Sequence, residues 1–253
     1  MPQMIINGRK TNAISGQMLD VISPVDGAVF TQIPRGDEAD IDLAVKAARI
    51  AAEGPWKKFT ALERGRLLVK LSGLILENAE QLSQLEAKDT GKAISSARND
   101  IQVMARYFEF YGTAADKVHG EVIPFLNGYS VQAIREPLGV TAHIIPWNYP
   151  AQMVGRSVAP SLAMGNACVV KPAEDACLSV IRVAELALEA GLPAGVFNVV
   201  TGWARKPAPA CPRTKTSTSL PSQVPMKWVC WCKKPPPSMR SSVCWNWVGN
   251  PLM

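Results

Sequence analysis

The sequence predicts an α/β protein built on a doubly wound parallel sheet, and three observations support this prediction. From residue 139 onward, β-branched apolar runs alternate with amphipathic helical patterns. Polar side chains directly follow two of those runs, and a glycine and a proline precede the third. Strands that alternate with helices form parallel sheets with right-handed crossovers. Ligands of such sheets bind beyond the carboxyl ends of the strands.

The sheet is predicted from three strand runs joined by two helices. The first run stops at Pro146, and Pro150 stands at a helix start, where its missing N–H is tolerated. Gly191 ends the second helix, because glycine readily adopts the left-handed conformation of a C-cap. The predicted order is strand 140–145, helix 151–163, strand 167–171, helix 177–190 and strand 196–200.

Tight turns are predicted in two other parts of the chain. Asn7-Gly8 and Asp26-Gly27 are turn pairs within residues 1–35, which are predicted to form short strands. Asn127-Gly128 is a third pair and predicts a hairpin over residues 120–136. That hairpin is either a surface feature of a monomer or an arm that pairs with another subunit, since an exposed strand edge alone does not decide between them.

The region between these turns is predicted to be helical. Asp37 is placed to cap the first helix, and Thr60 with Glu63 forms a capping box for the second. A glycine cap at Gly91 explains the helix end 86–92, to which we assign no catalytic role. The predicted helices include 38–53, one after Thr60 that carries Leu67 to Ile75, about 79–87 and about 93–116.

Asn148 is the first candidate site residue, because it follows the end of the first parallel strand. Its side-chain NH2 can donate a hydrogen bond to a developing oxyanion, and losing one such donor costs about 10²–10³ in rate. The alternative is an asparagine that caps the helix beginning at Pro150. The residues alone leave both interpretations open.

Lys171 and Glu174 are the second candidate pair, three positions apart at the end of the next strand. A carboxylate accepts hydrogen bonds from ribose hydroxyls, and an ammonium donates to them or to phosphate. The alternative is a solvated charge pair at a helix entry. No combination of His and Cys in the body of the chain suggests a metal site, so we predict none.

Three segments, residues 144–150, 171–174 and 191–202, resemble the NAD(P)-dependent aldehyde dehydrogenase superfamily in order and spacing. The resemblance covers residues 1–202 and implies a Rossmann-like cofactor domain and a homo-oligomer. It implies oxidation of an aldehyde to a carboxylic acid with NAD(P)⁺, through a thiohemiacetal on a cysteine.

The resemblance also implies roles for individual residues. Asn148 would form the oxyanion hole, and Lys171 with Glu174 would hold the adenosine ribose. NAD is favoured over NADP because the Glu174 carboxylate would repel a 2′-phosphate. The other implied cofactor-binding residues are Ile144, Ile145, Pro146, Trp147 and Gly202.

The same resemblance divides the chain into parts. Residues 1–119 and 137–202 would form a partial NAD(P)-binding domain, and residues 120–136 would form the oligomerisation arm. Residues 203–253 would be an unrelated tail, and the catalytic domain would be absent. The missing later strands count against oligomerisation of this chain.

The tail differs from the body in composition. Residues 1–202 hold 19 Lys and Arg against 21 Asp and Glu, whereas residues 203–253 hold 8 Lys and Arg and no acidic residue. The last 51 residues also contain five of the seven Trp, four of the six Cys and nine of the 20 Pro. The positive charge therefore comes from the tail and carries no information on the partners of the body.

The genetic code indicates that the tail is out of frame. Residues 244–248 read CWNWV, and shifting their codons by one base gives Leu-Glu-Leu-Gly whatever the ambiguous bases are. The resembling family has Leu-Glu-Leu-Gly-Gly at about this distance, and its Glu is the general base. Residues 226–229 give a second matching window, and residues 203–204 a third. We therefore predict a frameshift after Gly202.

A frameshifted chain would lack the general-base Glu and the nucleophilic Cys, so we expect it to be inactive and residues 203–253 to be disordered. The competing hypothesis is a non-enzymatic binding protein whose basic, Trp-rich tail contacts nucleic acid or a membrane. Out-of-frame translation explains that composition without selection, so we expect a small-molecule aldehyde as partner and neither nucleic acid nor membrane. No signal peptide is evident, which predicts a cytoplasmic protein.

Overall fold

A computed structural model describes residues 1–203 and contains a five-stranded mixed sheet with two separate hairpins. The sheet order is β2-β1-β9-β8-β7, in which β7, β8 and β9 run parallel. The strands are β1 Met4–Ile6, β2 Arg9–Thr11, β3 Met18–Ile22, β4 Val29–Pro34, β5 Glu121–Ile123, β6 Val131–Ala133, β7 Val140–Ile145, β8 Ala167–Pro172 and β9 Phe197–Val199. The predicted parallel sheet is therefore confirmed.

The described residues form six α-helices, three of which pack on the sheet. Their predicted caps are confirmed: Asp37 and Thr60 each form a capping box, with Asp40 and Glu63 as the respective N3 residues. Gly91 ends the third helix in the left-handed conformation, with φ of 73°. The helices are α1 Glu38–Glu53, α2 Ala61–Glu77, α3 Ala79–Thr90, α4 Ile94–Ala114, α5 Pro150–Ala163 and α6 Leu178–Ala190.

Helices cover both faces of the parallel strands, as expected for a doubly wound sheet. Along β8, Ala167 and Val169 belong to a core cluster with alanines of α1, whereas Cys168 and Val170 belong to the cluster with α5 and α6. Alternate side chains of a strand point to opposite faces. All six residues of β8 are buried, which is typical of a central parallel strand.

The N-terminal hairpin joins the edge of this sheet, which the sequence pattern did not predict. Ile5 in β1 pairs antiparallel with Val199 in β9. The turn Asn7-Gly8 has φ of 52° and 71°, the positive values that a two-residue hairpin loop needs. Its Asn7 N–H donates to the Asn198 side-chain oxygen at 3.0 Å. This pairing joins residues 191 positions apart, so local sequence carries no signal for it.

The predicted hairpin near residue 127 also forms. Strand β5 pairs antiparallel with β6, with Val122 opposite Gln132. Every residue of β5 is exposed, and the loop carries exposed Phe125 and Tyr129 in edge-to-face contact. Whether this hairpin is an oligomerisation arm remains a prediction, and the expectation for the tail lies outside the described residues except at Trp203.

Candidate functional site

The candidate site lies where β7 and β8 end side by side. Ile145 of β7 is in register with Pro172 of β8, and the Ala173 N–H donates to the Ile145 carbonyl at 2.9 Å. The chain then enters α5 after one strand and α6 after the other, and both helices pack on the same face of the sheet. Asn148 and Glu174 therefore stand beyond adjacent carboxyl ends of parallel strands, where such sheets bind ligands.

The turn after β7 exposes residues 146–149 to solvent before α5 begins. Tyr149 occupies the N-cap position of α5 and makes no side-chain capping hydrogen bond, so Asn148 does not stand at the cap. The alternative role for Asn148, a cap on the next helix, is therefore not observed. The amide of Asn148 lies on an exposed turn, where it can meet a ligand.

The residues around Asn148 differ in their exposure. Trp147 is 65% exposed, and Pro146 is exposed as well. Ile144 is half-buried, whereas Ile145 is buried in the main core cluster. Among the predicted cofactor-binding residues 144–147, a cofactor can therefore reach the side chains of Pro146 and Trp147 from solvent.

The pair of Lys171 and Glu174 at the end of β8 is not a solvated surface pair. Lys171 is 2% exposed, and its ammonium donates to the Pro172 carbonyl at 2.9 Å and to the Glu174 carboxylate at 3.1 Å. Burial lowers the pKa of Lys171, an effect that Glu174 opposes. The side chain of Glu174 is 26% exposed, so one end of a buried ion pair reaches the site.

The chain that follows β9 is hydrogen-bonded to the segment between β4 and α1. Thr201 donates its hydroxyl to the Pro34 carbonyl at 2.6 Å, and its own carbonyl accepts from the Gly36 N–H at 3.0 Å. A Cβ on Gly202 would lie 2.5 Å from the Gly36 carbonyl oxygen. Glycine is needed at this position for a close backbone approach, which accounts for Gly202 independently of any cofactor.

Two buried carboxylates on α3 contact both helices that follow the site strands, and sequence reasoning assigned them no role. Glu86 accepts from the Ser179 hydroxyl of α6 at 2.6 Å and from the Ala151 N–H of α5 at 3.4 Å. Asp89 accepts from the Leu178 N–H at 2.8 Å. The available signal was their position on the apolar stripe of α3, which also carries buried Leu82.

Burial dominates the electrostatics of these carboxylates. It raises the pKa of Glu86 and raises the pKa of Asp89 to about 7. The Asp89 Oδ1 atom is buried and makes no hydrogen bond within the described part of the chain. Each carboxylate faces the N-terminal end of a helix, where the helix dipole favours negative charge.

Lys92 lies between these carboxylates and the Asn148 turn. Its ammonium donates to the Asn148 carbonyl at 3.0 Å and also contacts Glu86 and Asp100.

Within residues 1–203, no group of three or more His, Cys, Asp and Glu side chains could hold a metal ion. In the same residues no helix is long and apolar enough to cross a membrane.

A mixed sheet whose parallel strands carry helices on both faces defines a doubly wound α/β protein. Residues 11–211 match the model of the aldehyde dehydrogenase family. The chain therefore belongs to the aldehyde dehydrogenase family. The match extends nine positions past Gly202, the residue at which the resemblance was predicted to end.

Relatives and solved structures agree with this membership. The chain is 48% identical over 203 residues to a hydroxyisobutyraldehyde dehydrogenase of Mycolicibacterium austroafricanum, covering 80% of this chain and 40% of that protein. It is 42% identical over 213 residues to the NADP/NAD-dependent aldehyde dehydrogenase PuuC of Escherichia coli, covering 83% of this chain and 43% of that protein. The chain thus spans about two fifths of the length of these curated relatives.

Two solved structures share the fold. A putative aldehyde dehydrogenase from Burkholderia cenocepacia aligns with a TM-score of 0.79 at 55% identity, covering 80% of this chain and 43% of that chain. A second structure is PnpE in complex with nicotinamide adenine dinucleotide, which aligns with a TM-score of 0.79 at 44% identity. That alignment covers 80% of this chain and 42% of the PnpE chain. A further PnpE structure comes from Pseudomonas sp. WBC-3.

Proposed function

We propose that this chain provides the NAD-binding edge and the oxyanion amide of an aldehyde-oxidising dehydrogenase. The observation that carries the proposal is the register of β7 and β8, which sets an exposed amide and a partly exposed carboxylate beyond neighbouring strand ends. The complex of PnpE with nicotinamide adenine dinucleotide supports NAD as the cofactor of this proposal.

The residues after β8 fit the ribose of NAD. The Glu174 carboxylate can accept hydrogen bonds from ribose hydroxyls, and the buried Lys171 ammonium orients that carboxylate. A 2′-phosphate would bring a second negative charge to Glu174, so we propose NAD as the preferred cofactor and NADP as the weaker one. Bound NAD would supply the hydride acceptor for the oxidation.

Asn148 fits the role of an oxyanion donor. Its side chain lies on the exposed turn after β7, and it is not used as a helix cap. An amide N–H aimed at a developing oxyanion stabilises charge without changing its own protonation state. The proposed reaction is oxidation of a small-molecule aldehyde to a carboxylic acid.

We further propose that the present polypeptide does not complete this reaction. The support is the codon window at residues 244–248, which yields Leu-Glu-Leu-Gly after a one-base shift. As translated, the chain contains neither that glutamate nor a cysteine in the sequence context of the family's nucleophile. The tail would then be a product of the shifted frame.

Binding and turnover are tested separately on the 253-residue chain. Titration calorimetry with NAD is expected to give saturable binding that weakens roughly tenfold in Glu174→Gln, the loss of one charged hydrogen bond. Asp175→Asn is the matched control, because Asp175 is exposed and adjacent in sequence. Absence of binding, or equal affinity in Glu174→Gln, would contradict the proposed site. Aldehyde-dependent NADH formation by this chain would contradict the proposed inactivity.

The exposed hairpin supports a proposal on assembly. Val122 and Ile134 are both 76% exposed, and Phe125 and Leu126 are both 66% exposed. An apolar edge of this kind favours pairing with a second copy of the chain. Light scattering on the wild-type chain and on Val122→Lys tests this arm.

We also propose a cytoplasmic location, which two free buried thiols, Cys168 and Cys177, support.

A further inference from the structure

A buried ion cluster lies beneath the Asn148 turn. The Lys92 ammonium donates to Asp100 Oδ2 at 2.6 Å, to the Asn148 carbonyl at 3.0 Å and to Glu86 Oε1 at 3.2 Å. A lysine ammonium has three donors, and all three are used here. The three acceptors come from α4, from the turn after β7 and from α3, so Lys92 joins three elements at one atom.

The cluster is shielded from solvent, which strengthens each contact. The side chain of Lys92 is 14% exposed, and those of Glu86 and Asp100 are 0% and 2% exposed. Hydrogen bonds between charged groups in such surroundings are stronger than neutral ones. The Lys92 ammonium also lies 4.7 Å from the centre of the Tyr149 ring, which extends its contact with the turn.

The same two carboxylates hold the residues that follow the turn. Asp100 Oδ1 accepts from the Gln152 amide at 2.6 Å, and Glu86 Oε1 accepts from the Ala151 N–H at 3.4 Å. Asn148 is therefore linked directly to Lys92, and the start of α5 is linked to the anions that surround Lys92. A displacement of Lys92 would loosen both attachments.

The turn has few other means of keeping its shape. Pro146 and Pro150 have no N–H to donate. Residues 146–149 are exposed, so core packing does not fix them. The Tyr149 carbonyl accepts from the Met153 N–H of α5 at 2.9 Å, and the contact of Lys92 with the Asn148 carbonyl ties the turn to α3 and α4.

We propose that Lys92 is a positioning residue that holds the Asn148 amide in place through the Asn148 backbone carbonyl, with Glu86 and Asp100 fixing Lys92. This inference rests on the proposed function, in which Asn148 is the oxyanion donor. Lys92 touches neither substrate nor cofactor in this proposal. It sets where the amide stands before an aldehyde arrives.

The chain offers a direct spectroscopic test, because Asn148-Tyr149 is the only Asn-Tyr pair in the sequence. Labelling asparagine with ¹³C at the carbonyl and tyrosine with ¹⁵N gives a single HNCO cross-peak, which reports the Asn148 carbonyl. In Lys92→Met this cross-peak is expected to move, and Lys92→Arg is expected to restore it towards its wild-type position, since arginine keeps the charge and the donors. Hydrogen exchange over residues 151–153 is expected to accelerate roughly tenfold in Lys92→Met.

Arg98→Met is the matched control. Arg98 also joins α4 to α3, through exposed Glu80 at 3.0 Å, so its loss removes a cation between the same two helices without touching the turn. The Asn148 cross-peak of Arg98→Met is expected to coincide with that of the wild type. If Lys92→Met fails to fold, the double variant with Asp100→Asn removes one buried anion together with the cation and keeps the net charge of the cluster.

An unmoved cross-peak in folded Lys92→Met or in the double variant would overturn the proposal. A cross-peak that moves equally in Arg98→Met would also overturn it, since the effect would then be general. The proposed function fails separately, if the wild-type chain does not bind NAD. In that case a shift confined to the Lys92 variants still supports the contact with Asn148.

Discussion

The two strand ends of the candidate site are held by different kinds of contact. After β7, the Asn148 carbonyl accepts from Lys92, which lies 56 positions earlier in the chain. At the end of β8, Lys171 donates to residues one and three positions away, Pro172 and Glu174. The amide end therefore depends on how α3 and α4 pack, whereas the carboxylate end is built from local sequence. Disturbing the packing is expected to displace the amide first.

The largest expected effect comes from breaking the remote support at Glu86. Glu86→Ala removes the carboxylate that contacts α5, α6 and Lys92, and leaves the buried cation with one partner fewer. Breaking a buried ion pair by deleting one partner costs about 3–5 kcal/mol. Urea unfolding of the wild type and the variant measures the loss.

Glu80→Ala is the control for that experiment, because Glu80 lies in the same helix and its side chain is 57% exposed. Its free energy of unfolding is expected to stay close to that of the wild type, since exposed ion pairs contribute little. Equal losses in the two variants would mean that the helix itself, and not the buried contact, determines the result.

The second effect is a pH dependence from Asp89, which supports the start of α6. Its pKa is raised from 3.8 to about 7, chiefly by burial, so the folded state favours the protonated form. This contribution to stability is present at low pH and is lost as the pH rises from about 4 to about 7. The loss is about 1.4 kcal/mol per pH unit for one group.

Asp89→Asn tests this contribution, because the amide oxygen still accepts from the Leu178 N–H without titrating. The difference in unfolding free energy between the variant and the wild type is expected to grow over that interval in favour of the variant, and to level off above it. A difference that stays constant from pH 4 to pH 8 would show that Asp89 is ionised in the folded state throughout.

A third experiment disturbs the local end alone. Lys171→Met keeps the volume of the buried side chain and removes the partner of Glu174. NAD affinity is expected to fall roughly tenfold, the effect of one charged hydrogen bond. The cross-peak of the Asn148 carbonyl is expected to stay in place. Movement of that cross-peak would show that the two ends are coupled and would remove the contrast between them.

The smallest effect is expected at the amide itself. Asn148→Ala alters an exposed turn residue that caps no helix, so the unfolding free energy is expected to change by no more than about 0.5 kcal/mol. NAD affinity is expected to stay unchanged, since the amide is proposed to face the substrate. Calorimetry and urea unfolding measure both. A loss above about 1 kcal/mol would indicate a structural role.

Local sequence was sufficient for most of the fold and for one half of the site. Strand periodicity, the cap at Asp37 and the box of Thr60 with Glu63 depend on neighbours within a few positions, and the structure shows each of them. The Lys171 and Glu174 pair follows the same rule. Sequence reasoning identified these features because their physical causes lie close together in the chain.

The features that were missed depend on distant partners. Glu86 has the local appearance of a helix residue near a glycine cap, yet it bonds to residues 65 and 93 positions away. The pairing of Ile5 with Val199 likewise joins opposite ends of the described chain. The position of Glu86 on the apolar stripe of α3 indicates that it is buried but does not identify its partners, so the cluster around Lys92 emerged only from the packing.

The most direct test of the account is whether the two strand ends face one ligand. NAD is titrated into the wild-type chain that carries the Asn148-Tyr149 label, and calorimetry runs in parallel. The cross-peak is expected to shift saturably with the affinity that calorimetry gives, and Glu174→Gln is expected to weaken both. NAD binding that leaves the Asn148 cross-peak unmoved would contradict it.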